Sequence, residues 1–233
     1  MLWRRDVSAR GGWLSAGGVD YHVEFVTRND ELILMTAAEI GNEFTLRHDE
    51  GVLLLTLASG DGMNRLTRRK VIALQKEIED HVNLDSPALP LVISGTPIFS
   101  AGADLNEISQ LSGPEAFAFA KMGQELMNTI ANCSAPVYAC VHGFCLGGGL
   151  DLALACRHRI ASPHAVFGHR GAALGLITGW GGTQRLPRLI GKGRALEMFV
   201  SAEKVSARRA AEIGLVDAVA DDPVAEALRR IRE

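Results

Sequence analysis

The sequence has no apolar run approaching the ~20 residues needed to cross a bilayer, which excludes a transmembrane helix. It also has no long run of one charge. Its 24 basic and 27 acidic side chains leave a net charge of −3, so nothing in the charge points to a nucleic-acid partner. There is no CxxC pair. The four cysteines, Cys133, Cys140, Cys145 and Cys156, sit in apolar segments, as buried reduced thiols of an intracellular protein do. None of the seven histidines supplies a zinc-ligand spacing, so no metal site is expected. GxxxxGK[ST], GxGxxG and GxSxG are all missing, which argues against a P-loop, a dinucleotide fold and a nucleophile elbow. The first residues carry arginines without the apolar core of a secretory signal, and the expected location is cytoplasmic.

What is present is an ordinary globular composition. With 233 residues, 47% hydrophobic and 22% charged, the chain can bury a substantial core in one large domain or two small ones. Residues 1–42 show no clear period and read as a loosely ordered leader. FTLRH (44–48) and VLLLTLA (52–58) read as a hairpin turning at Asp49-Glu50-Gly51. Thr67 is a candidate N-cap for a helix burying Val71, Leu74, Ile78 and Val82. A buried strand follows at 89–94. Ser112 and Glu115, with Pro114 between them, then start a helix whose core face is Phe119, Met122, Leu126 and Ile130. A strand at 136–141, a helix opened by three glycines and a strand at 159–161 complete a β-α-β alternation. That order predicts an α/β fold with a mostly parallel sheet. The last third reads as helical, broken at Gly214.

Two loops after expected strands are built from small residues. The first runs Phe99-Ser100-Ala101-Gly102-Ala103-Asp104-Leu105, and the second runs from Gly143 to Asp151 through Gly147-Gly148-Gly149. Small side chains let a ligand reach the backbone, and a glycine-opened helix presents free N–H groups to a developing negative charge. Two such amides aimed at one point form an oxyanion hole. Tight strand–helix packing is the competing explanation for either loop alone.

Four ordered segments then go further: FSAGADL, VHGFCLGGGLDLALACRHRIAS, FGHRGAALGLITGWGGTQRLPRLIG and VSARRAAEIGLVDAV. Together, over about 44–219, they resemble the enoyl-CoA hydratase/isomerase (crotonase) superfamily. The resemblance implies a crotonase-like spiral of ββα units at 43–200, followed by a short helical C-terminal region at 201–233. It implies an acyl-CoA thioester substrate, no cofactor beyond its coenzyme A, and a homotrimer or dimer of trimers. It places the oxyanion donors on the amides of Ala103 and Gly148. Ala101, Gly102, Asp104 and Leu105, with Arg65, become the expected coenzyme A contacts.

The general acid–base groups depart from the family pattern. Asp151 stands where hydratases of the family carry a glutamate, as in the dienoyl-CoA isomerase branch, and is the expected proton carrier. The position of the second hydratase glutamate is Gly171, and that of the isomerases' further aspartate is Gly179. Glycine at 171 leaves ordinary two-carboxylate hydration without a partner group, or makes room for a larger acyl group. His169 in the same loop is the candidate substitute, because imidazole titrates near neutrality. Arg170 is a candidate for a carboxylated acyl group, His142 for orienting the oxyanion loop, Glu107 for an acid beyond the first loop and Trp180 for a pocket wall. Surface or packing roles compete for each. Because the sequence ends at Glu233, soon after GLVDAV, part of the wall that family members build from later helices is expected to be missing, supplied by a neighbouring subunit or replaced by the leader.

Other readings remain beside the enzyme: an acyl-CoA-binding protein with little turnover, or another crotonase-fold reaction such as dienoyl isomerisation or decarboxylation. A Clp-type hydrolase lacks its serine, since Leu150-Asp151 follows the glycines. RNA binding through Arg68, Arg69, Lys70 and Lys76 competes poorly with a solvated helix face.

Overall fold

A computed structural model describes residues 44–80 and 88–233, together with the backbone alone of 3–4, 11–16, 19–28, 31–36 and 81–82. Within the first 36 residues lie β1 (Trp3–Arg4), β2 (Gly11–Ala16), β3 (Val19–Arg28) and β4 (Glu31–Thr36). Next come β5 (Phe44–Asp49) and β6 (Val52–Leu57), α1 (Arg68–Val82), β7 (Leu91–Gly95), α2 (Leu105–Ser109) and α3 (Gly113–Ala131). The middle of the chain supplies β8 (Val137–Val141), β9 (Phe144–Leu146), α4 (Gly148–Ala155), β10 (His158–Ala161) and β11 (Val166–Gly168). A 3-10 turn (Arg170–Leu174) leads into α5 (Gly182–Ile190), α6 (Lys192–Ser201), β12 (Val205–Ser206), α7 (Ala207–Glu212), β13 (Ala218–Val219) and α8 (Pro223–Arg232).

β5 and β6 pair antiparallel from Phe44↔Leu57 to Asp49↔Val52, with Glu50 and Gly51 both at positive φ in the turn. β6, β7, β8, β10 and β13 then run parallel within one large sheet. β4 joins that sheet antiparallel to β5. β9, β11 and β12 form a separate three-stranded sheet. The expected α/β spiral is therefore present, but the last third carries three short strands, β11, β12 and β13, as well as helices.

Alternation along the central strands sorts the core onto two faces. Leu53, Leu55, Ile93, Ala139 and Val141 face the main core, where Val71, Leu74 and Ile78 of α1 and Phe119, Leu126 and Ile130 of α3 are also buried. Leu54, Val92, Cys140 and Ile160 face the other way, onto Ala227 and the apolar side of α8. The side chain of Val82 lies outside the described residues.

The helix starts follow local signals. Thr67 Oγ1 accepts from the Lys70 N–H at 3.2 Å at the head of α1. The Glu115 carboxylate accepts from the Ser112 N–H at 2.8 Å and from its hydroxyl at 2.6 Å at the head of α3. The Glu107 carboxylate is engaged at the head of α1. It accepts from the Arg68 N–H at 2.8 Å, where the positive end of α1 favours a negative group.

Candidate active site

Main-chain pairing lays the two small-residue loops side by side. The Ser100 N–H donates to the Phe144 carbonyl at 2.9 Å, and the Leu146 N–H donates back to the Ser100 carbonyl at 3.0 Å. Ser100 Oγ, fully buried, accepts from the Gly102 N–H at 3.1 Å and donates to the Asn64 carbonyl at 2.7 Å. Asn64 in turn donates through Nδ2 to the carbonyls of Leu57, Thr96 and Ile98, which ties the ends of β6 and β7 to the loop. Neither Ser100 nor Asn64 was singled out for this role by the sequence, because the network joins residues more than thirty positions apart.

Gly102 sits at φ +97°, and a Cβ there would fall 2.6 Å from the Leu146 carbonyl oxygen and 3.1 Å from the Gly148 nitrogen. A side chain is therefore excluded both by conformation and by space. A Cβ on Gly148 would lie 3.2 Å from the Ala103 nitrogen, so the two loops bring Gly148 and Ala103 together. Gly148 is the first residue of α4, and its N–H has no partner within the helix. Among the described residues, no backbone acceptor is hydrogen-bonded to the Gly148 or the Ala103 N–H.

A cavity of about 280 Å³ opens beside them. Ala101, Gly102, Ala103, Leu105, Gly148, Asp151 and His169 all line it. Of the expected coenzyme A contacts, Asp104 and Arg65 do not. Asp104 instead caps α2, accepting from the Asn106 N–H at 2.8 Å and the Glu107 N–H at 3.2 Å. Arg65 pairs with Asp61 at the surface. Apart from Arg170 and Thr178, the remaining wall is apolar, with Ile108 and Leu111 after the first loop, Phe119 on α3, and Leu176 and Ile177 at an exposed rim.

Asp151 lies in the first turn of α4 and is 1% exposed. Burial raises its carboxyl to a pKa of about 6. The Thr178 hydroxyl, which hydrogen-bonds Oδ2, the backbone amide of Trp180, the Arg185 charge and the backbone amide of Gly182, in decreasing order, hold it back from rising further. His169 is 3% exposed, and burial lowers its imidazole to about 4, leaving it neutral at pH 7. Its Nε2 lies 3.7 Å from Asp151 Oδ1, too far for a hydrogen bond. Among the described residues, Asp151 Oδ1 and both His169 nitrogens have no hydrogen-bond partner.

Gly171 lines the cavity, but a side chain there has no room. A Cβ at this position would fall 2.6 Å from the Leu176 carbonyl oxygen, and the Leu176 N–H donates to the Gly171 carbonyl at 2.8 Å. The chain's own turn fills the space. Gly179 is open by comparison, with only the Ala120 methyl near, at 3.7 Å. Thr178, which touches the buried carboxylate directly, carried no signal in the sequence. Arg185 of α5 ties the Trp180 main chain to α3, donating to the carbonyls of Trp180 and Met127 at 3.3 Å and to Asn128 Oδ1 at 2.8 Å.

A parallel-sheet spiral with glycine-rich loops meeting at the head of α4 defines a crotonase-fold protein. The profile of the enoyl-CoA hydratase/isomerase family matches residues 47–233. A crotonyl-CoA hydratase of Syntrophomonas wolfei is 40% identical over 179 residues, covering 75% of this chain and 67% of that protein. Among solved structures, Pseudomonas aeruginosa DspI superposes with a TM-score of 0.78 at 33% identity, covering 84% of this chain and 77% of its own. An enoyl-CoA hydratase from Bacillus anthracis superposes at 0.77 and 31% identity, covering 82% and 75%. The chain belongs to the enoyl-CoA hydratase/isomerase (crotonase) family, and it is an enzyme of that type.

Proposed function

We propose that the protein binds a 2-enoyl-CoA thioester, receives the thioester oxygen on the N–H groups of Ala103 and Gly148, and moves the proton with Asp151. The observation that carries this reading is the meeting of two backbone amides beside one buried carboxylate in an apolar cavity. Amides fixed before reaction stabilise the enolate oxygen without reorganisation, and losing one such donor typically costs roughly 10²–10³ in rate. In hydration, Asp151 takes a proton from water as the oxygen adds to C3, and returns that proton to C2 of the enolate. Ala101, Gly102 and Leu105, which line the cavity, are the proposed contacts for the coenzyme A. The cycle uses protein groups and the thioester alone.

His169 is the second group of this proposal. Neutral and unpartnered, it can orient the water or accept its proton in place of the carboxylate missing at Gly171. A double-bond shift is the alternative that a specific observation favours. With the Leu176 turn closing the Gly171 side, one carboxylate suffices to carry a proton between two carbons on one face of an enolate. The proposal also includes a cytoplasmic location and a homotrimer or dimer of trimers. The four free cysteines support the first, and the exposed Leu196 and Val200, one turn apart on α6, support the second.

The test follows the ultraviolet absorbance of crotonyl-CoA with purified protein and with Asp151→Asn. Loss of the conjugated signal by the wild type alone supports hydration through Asp151. An unchanged signal with tight thioester binding would overturn hydration, and a 3-enoyl substrate would then test the double-bond shift against binding without turnover.

A further inference from the structure

We propose that Trp180 is a positioning residue that holds the Gly148 amide in place beside the Ala103 amide, and so sets how strongly the thioester carbonyl is polarised. The proposal rests on the oxyanion reading above. The indole is 3% exposed and occupies a slot between two helices, made by two glycines. A Cβ on Gly123 of α3 would fall 2.2 Å from its Nε1 and 2.3 Å from its Cδ1. A Cβ on Gly148 of α4 would fall 2.7 Å from its Cζ3 and 2.8 Å from its Cε3. One edge of the ring is thus seated on α3 and the opposite edge rests on the residue that carries the amide.

The α3 edge is anchored. Nε1–H donates to the Phe119 carbonyl at 3.3 Å, and the two rings are 5.3 Å apart between centroids, tilted by 42°. The main chain on both sides is held too: Gln124 Nε2 donates to the Gly179 carbonyl at 2.7 Å, and Arg185 donates to the Trp180 carbonyl. A rigid ring fixed at one edge transmits the position of α3 to the first residue of α4. Close-packed interiors do not absorb such a contact by flowing. The same residue's amide approaches the Asp151 carboxyl, so Trp180 joins the oxygen-binding and proton-carrying halves of the site.

Two variants separate positioning from core filling. Gly123→Ala presses a methyl into the Nε1 edge from outside the cavity, since Gly123, unlike Trp180, does not line it. Trp180→Phe shortens the ring away from Gly148 and removes Nε1–H without adding an atom. The readout is the infrared carbonyl stretch of bound butyryl-CoA, labelled with carbon-13 at the thioester, a saturated ligand that cannot be hydrated. Turnover of crotonyl-CoA and the melting temperature are measured beside it. The expected result is a lowered stretch on binding to the wild type and loss of most of that lowering in both variants. Their kcat should fall by about 10²-fold, the typical effect of an ångström-scale misplacement, with KM little changed.

Variants that melt earlier but keep the wild-type stretch and kcat would overturn the proposal and leave Trp180 as packing alone. If Gly123→Ala does not fold, Trp180→Phe decides. A wild type that binds the thioester without lowering its stretch would instead remove the oxyanion reading itself, and the positioning role with it.

Discussion

Asp151 Oδ1 and His169 Nε2 lie 3.7 Å apart in the cavity wall, and neither is hydrogen-bonded among the described residues. Their perturbations oppose each other. Asp151 binds its proton more tightly folded than unfolded, so its contribution to stability is lost as pH rises from about 3.8 to about 6. His169 binds its proton less tightly folded, so its contribution is gained as pH rises from about 4 to about 6.5. Each is worth about 3 kcal/mol at the usual conversion. Wild-type stability should therefore change little with pH across this interval through these two groups. Asp151→Asn should make it rise with pH, and His169→Gln should make it fall. Urea denaturation at pH 4.5 and 6.5 checks all three, and parallel slopes would refute the opposition.

In the proposed role of proton carrier, Asp151 must ionise to accept. Activity should decline below pH about 6. Asp151→Asn should lose 10²–10⁴-fold in kcat, roughly the span of general acid–base catalysis. Thr178→Val removes a hydrogen bond that favours the carboxylate, so the acid limb of the profile should move to higher pH. A profile indifferent to residue 178 would separate the limb from Asp151.

Restoring the second family carboxylate should fail. In Gly171→Glu the new Cβ meets the Leu176 carbonyl oxygen at 2.6 Å, so the turn must open before the side chain fits. A loss of about 1–3 kcal/mol, the usual scale of overpacking, is expected, without a gain in hydration rate. Thermal melting and the crotonyl-CoA assay measure both.

Ala120 and Gly179 adjoin each other in the cavity wall, with 3.7 Å between the Ala120 methyl and the Cβ position of Gly179. Ala120→Phe should fill that part of the wall. Turnover of long enoyl chains should drop relative to crotonyl-CoA, while crotonyl-CoA turnover changes little. An unchanged ratio across chain lengths would place the acyl chain elsewhere.

Ser100→Ala leaves the Asn64 carbonyl without its donor and the Gly102 N–H without its acceptor in a fully buried place. Unsatisfied groups of this kind cost about 1–3 kcal/mol, so stability should fall by that order. Activity should fall too, because Gly102 precedes the Ala103 amide.

Much of the fold was legible from neighbouring residues. The Glu50-Gly51 turn, the Thr67 cap, the Ser112–Glu115 start and the 3.6-residue spacing of α1 and α3 all act within a turn or two of the chain. The strands β9 and β11 were not legible, because three residues are too few to show a period. The glycines at 102 and 148 were visible as small residues in two loops. That they leave two amides side by side depends on β7 and β8 being neighbours in one sheet.

The sequence by itself determined the family, the parallel α/β order and the identity of Asp151 and His169, because these follow from local pattern and residue type. Tertiary structure alone decided what those side chains are. Thr178 reaches Asp151 from 27 positions away, and the Leu176 turn closes the space at Gly171. Trp180 stands between two glycines of different helices. A carboxyl near pKa 6 and an imidazole near 4 arise from desolvation, which is set by everything packed around a group rather than by the residues beside it in the chain.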